Sequence, residues 1–219
     1  MNQKFLIQEA VKYGWEAMKK HFWFFAGMLA IFYALMYGLP FLGQYFIKQA
    51  LNNNPFFNGI FSLIINILGI IISIGLVKVS LNIYDDKSVD YEILFTQWKF
   101  FWRYLGSMIL YGLIVLGGFI LLIVPGIIWS IKYSMTPYLI LEGYSPLDAL
   151  TRSGVITKGV KGKLFLLWLL LVLISLAGYV LFFIGSFVAQ PIVLLAGIFV
   201  YKKLQNAIPK EPTLPELGF

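Results

Sequence analysis

Few side chains in this chain are of a type that does chemistry, and their scarcity excludes much. There is no cysteine and a single histidine, His21. Disulfides, thiolate metal sites, thiol nucleophiles and histidine-based triads or metal centres therefore lack the residues they need. The acidic run Asp85-Asp86-Lys87-Ser88-Val89-Asp90 contains paired aspartates, the kind of group that holds magnesium-diphosphate in prenyl-transferring enzymes. Those enzymes set two such clusters face to face, and only one is present here. The run reads as a solvated loop and helix cap, since the motif alone is not specific. We expect no catalytic residue, no metal and no cofactor.

What remains are basic and amide groups in or beside apolar segments. Lys132 lies within a short apolar run, near its outer turn. A lysine in hydrocarbon costs about 2.5–3.5 kcal/mol on insertion scales, so it needs a reason. One reason is a polar cavity in which it meets a phosphate or carboxylate. The other, favoured by its shallow position, is snorkelling to the nearby surface. Arg152, Lys158, Lys161 and Lys163 put four positive charges just ahead of another apolar run. They either orient that run or frame a site for an anionic lipid headgroup, each contributing about 1 kcal/mol near an anionic leaflet. Asn66 is an intramembrane amide, as is Gln190, and Pro137 and Pro191 add helix irregularities. Packing is the favoured reading for these, since amides also hydrogen-bond between helices. The candidate ligand or lipid residues are thus Lys132, Arg152, Lys158, Lys161, Lys163 and Asn66.

The elements that must position them are membrane spans. The chain has 219 residues, 60% hydrophobic and 12% charged, with a mean hydropathy of +0.83. Soluble domains carry about 25% charged residues to face water, so the solvent here is lipid. Aromatics at 18% suit a protein with two interfaces to line. A crossing takes about 20 apolar residues. The predicted fold is an all-α polytopic bundle of six spans, at about 22–42, 60–77, 105–124, 127–141, 164–184 and 186–201. Residues 1–206 form this single bundle and 207–219 a short cytoplasmic tail. The run at 22–42 reads as a retained first span, not a cleaved signal peptide. The spans at 127–141 and 186–201 rest on the turn signals Pro125-Gly126 and Gly185-Ser186. A chain turned back there must recross or lie buried as a re-entrant segment, and recrossing is favoured.

Charge orients the bundle. On the six-span reading, fifteen of the seventeen basic residues and all ten acids fall in the segments 1–21, 78–104, 142–163 and 202–219. Basic residues mark the cytoplasmic side, so both termini are expected in the cytoplasm. The net charge of +7 points to anionic headgroups and not to nucleic acid, because the basic residues flank apolar runs. Three amphipathic helices are expected on that side. In the first, Ile7, Val11, Trp15 and Met18 oppose Glu9, Lys12, Glu16 and Lys19. In the second, Leu94, Trp98, Phe101 and Leu105 oppose Glu92, Thr96, Lys99 and Arg103. The third starts at Ser145-Pro146-Leu147-Asp148, with cap, first-turn proline and acid, and stops near Gly159. Such helices lie in the headgroup plane. The recurring order of interfacial helix, span, turn and span also suggests a threefold repeat, although any protein of helical hairpins shows that alternation. Ala26, Ala30 and Ala34 form a small-residue row suited to close helix contact.

The stretch Val124-Pro125-Gly126-Ile127-Ile128-Trp129-Ser130-Ile131-Lys132-Tyr133, then Pro137, then Leu141-Glu142-Gly143-Tyr144-Ser145-Pro146-Leu147-Asp148-Ala149-Leu150-Thr151-Arg152-Ser153 and Lys158-Gly159 resembles a bacterial family. That family is the membrane domain of glycerophosphoryl diester phosphodiesterases, with its stand-alone relatives. The likeness covers roughly residues 105–180, and the first half by layout alone. It implies a six-span, multi-pass protein of the bacterial inner membrane and no catalysis, since that family's hydrolase domain is a separate soluble barrel. The expected function is non-enzymatic: a lipid-handling or transport component of envelope homeostasis, whose partners are anionic lipids at the cytoplasmic face. The alternative is a structural or accessory subunit of a larger membrane complex, with a protein partner.

Overall fold

The computed structural model describes residues 5–50, 54–180 and 184–207. Lys4, Lys210, residues 51–53 of the loop expected on the outer side, residues 181–183 and the tail from 208 onward lie outside the described residues. Every element is helical, with no β-strand among the described residues. Five stretches are long and apolar enough to cross a membrane: Phe22–Gln49, Pro55–Tyr84, Ile93–Leu121, Lys161–Val180 and Gly185–Asn206.

Helix α1 (Ile7–Lys20) packs along α11 (Ile184–Asn206). The contact is close because Gly14 has no side chain: a Cβ there would stand 2.6 Å from the Ile192 carbonyl oxygen. Ala10, Gly14 and Met18 face inward, whereas Trp15 is 46% exposed. The apolar stripe predicted for this helix is therefore divided between α11 and the outside. The first long stretch is α2 (Phe22–Tyr33), a π-helical turn at Ala34–Gly38, and α3 (Leu39–Ala50). Pro40 explains the widened turn, because proline has no N–H for the usual helical bond and crowds the preceding turn. Tyr33 donates a hydrogen bond to Ser186 of α11 at 3.0 Å.

Helix α4 (Pro55–Tyr84) is capped by Asn54, whose side chain accepts from the Phe56 N–H at 2.9 Å. It leads through one turn, α5 (Ile93–Thr96), and a 3-10 turn at Gln97–Phe100 into α6 (Phe101–Leu121). The expected second amphipathic helix is thus two short turns merging with α6. Leu94 is fully buried there because Gly75 of α4 lets its backbone approach. The turn after α6 is at Leu122, extended at φ −169° and ψ 159°, one step before α7 (Ile123–Lys132). Pro125 and Gly126 sit inside the first turns of α7 and not at the reversal. Proline is tolerated there because first-turn N–H groups have no intrahelical partner, and Gly126 lets α7 approach Gly118 of α6.

The segment expected at 127–141 is interrupted. Helix α7 ends at Lys132, Tyr133–Met135 form turns, and α8 (Thr136–Leu141) resumes. Their rises of about 15 and 9 Å leave neither long enough to cross alone. Helix α9 (Pro146–Ile156) starts as predicted: Ser145 Oγ accepts from the Asp148 N–H at 3.3 Å. It is followed by a turn in which Gly159 takes φ +81°, a conformation open to glycine at little cost. Helix α10 (Lys161–Val180) then pairs with α11, Gly178 meeting Gly185 backbone to backbone. The central helices are α4 and α11, with 39% and 56% of their apolar windows buried. The stretches at Phe22–Gln49, Ile93–Leu121 and Lys161–Val180 have only 11–22%.

Candidate functional site

The interruption between α7 and α8 positions the site, so its backbone comes first. Where a helix stops inside apolar surroundings, the freed carbonyl and N–H groups must find partners in the protein. Helix α9 supplies them. Ser153 Oγ donates to the Lys132 carbonyl at 2.9 Å and accepts from the Met135 N–H at 3.2 Å. The Thr157 hydroxyl shares its proton between the Ser153 carbonyl at 2.8 Å and the Lys132 carbonyl at 3.1 Å. Both hydroxyl residues are fully buried. The break is thereby locked in place, and α9 is fixed against it at the level of Lys132.

The side chain of Lys132 projects over Gly154 of α9. A Cβ on Gly154 would come within 2.9 Å of Lys132 Cε and 3.8 Å of Nζ, so glycine keeps that shelf clear. The ammonium also lies over the Tyr133 ring, 4.8 Å from its centroid. Its place in the last turn of α7 is favourable, because the negative end of the helix dipole is there. Beyond it opens a cavity of about 680 Å³ to which Lys132, Lys158 and Lys161 all contribute, with Thr151 as a neutral polar group. Ile114, Leu147, Leu150 and Val155 make the apolar wall, and no acid lines it. Among the described residues Lys132 and Lys161 form no ion pair. Three positive charges from α7, the turn after α9 and α10 thus converge on one apolar-walled space. That arrangement suits a phosphate or carboxylate carried on an apolar body.

The other candidates lie elsewhere. Arg152 is not among the residues lining this cavity; it is buried, 5% exposed, and near enough to Tyr201 for its charge to act there. Lys163 is half-buried at the start of α10 and is not among the cavity's lining residues. Asn66 donates to the Ser62 carbonyl one turn back at 2.7 Å and lines a small space of about 90 Å³ between α3 and α4. Asp85, from the acidic run, pairs with Lys202 at 3.1 Å and Lys87 at 3.7 Å. Among the described residues no group of three His, Asp or Glu side chains is placed to hold a metal ion.

Two polar features gave no warning in the sequence. Glu142, at the end of α8, accepts from Tyr201 at 2.7 Å, Lys202 at 2.8 Å and Gln205. With Asp85 it ties α4, α8 and α11 together. Trp168 of α10 has a buried indole N–H with no hydrogen-bond partner among the described residues. The chain matches no protein-family model, no curated protein and no solved structure.

Proposed function

We propose that this chain is a non-enzymatic, six-pass protein of a bacterial inner membrane that holds an anionic lipid headgroup at its cytoplasmic side. The observation that carries the reading is the convergence of Lys132, Lys158 and Lys161 on one apolar-walled cavity beside a broken helix. Broken helices with ligand sites at the break are a recurring device of membrane transporters. The positive-inside distribution supports the orientation, and the resemblance over residues 105–180 supports the compartment.

The even number of passes has its own support. Helix α1 lies against α11 from its middle toward its end, with Gly14 at Ile192 and Ala196 and Tyr13 stacked on Phe199, so the beginning and end of the bundle are side by side. Five crossings would separate them. The α7–α8 pair supplies the additional pass, leaving the turn at Leu122 and returning to Glu142 beside Lys202.

The test is lipid retention. The parent, released from nanodiscs of mixed phosphatidylglycerol and phosphatidylcholine, should carry phosphatidylglycerol in excess by native mass spectrometry. Replacing all three lysines, Lys132→Gln, Lys158→Gln and Lys161→Gln, should remove the excess. Gly154→Leu should reduce it with every charge kept, by displacing the Lys132 stem. Unchanged retention in the triple variant would sink the reading. A stable co-purifying protein in place of lipid would favour the accessory-subunit alternative, which draws on the outward-facing Trp23, 83% exposed, and the exposed Ala30 and Ala34 on the same stretch.

A further inference from the structure

A second cavity lies on the other side of the α7–α8 break, and nothing in the sequence pointed to it. It holds about 500 Å³ between α6, α7 and α10. Tyr133 lines both this cavity and the lysine cavity, so the two are neighbours across one side chain. Their characters are opposite. The second has no charged residue; its walls include Ile127, Pro137, Phe165, Trp168, Leu169 and Val172. It is open along α10, where Phe165, Leu169 and Val172 are 42%, 48% and 52% exposed. On that helix Lys161 belongs to the basic cavity and the next two turns and more, to Val172, belong to the apolar one. The distance from Lys161 to Val172 along the helix is about 16 Å.

Trp168 lines this groove, while its indole N–H is covered by protein atoms and has no hydrogen-bond partner among the described residues. The other polar groups are already committed: Tyr111 donates to the Ser130 carbonyl at 3.2 Å, and the Ser130 and Ser134 hydroxyls each bond a carbonyl three residues back at 2.8 Å.

We propose that the groove holds the acyl chain of the same anionic phospholipid whose headgroup the three lysines hold. The assignment rests on the reading of the lysine cavity given above. Charge selects the headgroup end, and Tyr133, the wall that the two cavities share, sets the apolar end beside it. The ligand class is thus a diacyl or monoacyl glycerophospholipid with a negative headgroup, and not a free phosphate.

Brominated acyl chains quench tryptophan on contact, and the difference between the parent and Trp168→Phe isolates the emission of Trp168. In nanodiscs doped with acyl-brominated phosphatidylglycerol, that component should be quenched more strongly than with acyl-brominated phosphatidylcholine. The excess should be lost in the triple lysine-to-glutamine variant and reduced in Val172→Phe, which narrows the groove. Equal quenching by the two lipids, alongside continued retention of phosphatidylglycerol, would overturn the acyl-chain assignment and leave the headgroup reading intact. If glycerol phosphate in solution abolishes phosphatidylglycerol retention as well as the lipid itself does, the lysines serve a free anion and the assignment falls. Retention equal for both lipids would remove the headgroup reading and this assignment with it.

Discussion

Ser153 closes both ends of the α7–α8 interruption with one hydroxyl. Removing it strands the buried Met135 N–H and leaves the Lys132 carbonyl to Thr157 alone. The cost of such an orphaned group is about 1–3 kcal/mol. Ser153→Ala is therefore expected to lower the melting temperature in detergent markedly. Thr157→Val should lower it less, since Ser153 still serves the Lys132 carbonyl; equal effects would show that the hydroxyls are not shared in this way. A second expectation concerns Tyr13, which stacks on Phe199 at 5.1 Å and meets Tyr84 edge-on at 5.5 Å. Burial first, then Tyr84, Asp86 and Asp85, push its pKa from 10.0 up to about 12. The folded chain thus favours the neutral phenol. Its stabilising contribution is complete below pH 10 and is lost as pH rises from 10 towards 12. Between those values Tyr13→Phe should lose less stability than the parent, read as the difference in melting temperature; parallel curves would refute the assignment. Lys132 was visible in the sequence because a charge in an apolar run is conspicuous. Ser153 and Glu142 were not, since serines and acids near helix ends are common and their importance lies in partners about twenty and sixty residues away.

Turn chemistry and helix faces were legible to different depths. The Ser145 cap with Pro146 and Asp148 is local, and the helix it announced is α9. Pro125-Gly126 is equally local and looked like a reversal, yet the chain reverses at Leu122, in a tip where Ile120 through Val124 are all apolar and 64–77% exposed. Without polar turn residues the reversal had no signature, whereas proline and glycine served the first turns of α7 and its approach to α6. The second amphipathic stripe failed for a related reason: Leu94 is drawn under Gly75, which breaks the helical register into two turns before α6 begins. Glycine positions separate close approach from open surface. Gly14→Ala pushes a Cβ against the Ile192 carbonyl, and backbone cannot move aside as a side-chain tip can. Overpacking of this kind costs about 1–3 kcal/mol, so α1 should loosen from α11 and the melting temperature fall. At Gly112, on α6, an added Cβ would meet nothing within 4 Å. Gly112→Ala should therefore be neutral or stabilising by up to about 1 kcal/mol from helix propensity. Equal losses in the two variants would mean that α1 does not approach α11 as described.

Across the whole molecule, the feature that joins the parts is parity. Composition made an all-helical membrane bundle legible, because no water-facing surface can be built from so few charges. The number of crossings was harder to read, since helices of ten and six residues such as α7 and α8 give no continuous apolar signal of about 20. Two contacts bear on it directly. Helix α1 lies on α11 from its middle onward, with Tyr13 on Phe199, and Glu142 at the end of α8 reaches Lys202 and Tyr201 near the end of α11. Both bring α1, the end of α8 and the end of α11 together, alongside Asp85 at the end of α4. If α7 and α8 together complete a crossing, Lys12, Asp86, Lys158 and Asn206 share one side and Asn54 stands on the other. The absence of cysteine makes this directly measurable, because each position can be replaced singly in an otherwise thiol-free chain. In right-side-out vesicles a membrane-impermeant maleimide should label Asn54→Cys alone among these five. In inverted vesicles it should label Lys12→Cys, Asp86→Cys, Lys158→Cys and Asn206→Cys. Leu122→Cys should react poorly in both, because its tip carries no polar residue to draw it into water. Labelling of Lys12→Cys and Asn206→Cys from opposite sides would leave five crossings and no transmembrane role for the broken pass. Labelling of Lys158→Cys from the outside would place the lysine cavity on the wrong face for a cytoplasmic-leaflet headgroup, whatever lipid it retains.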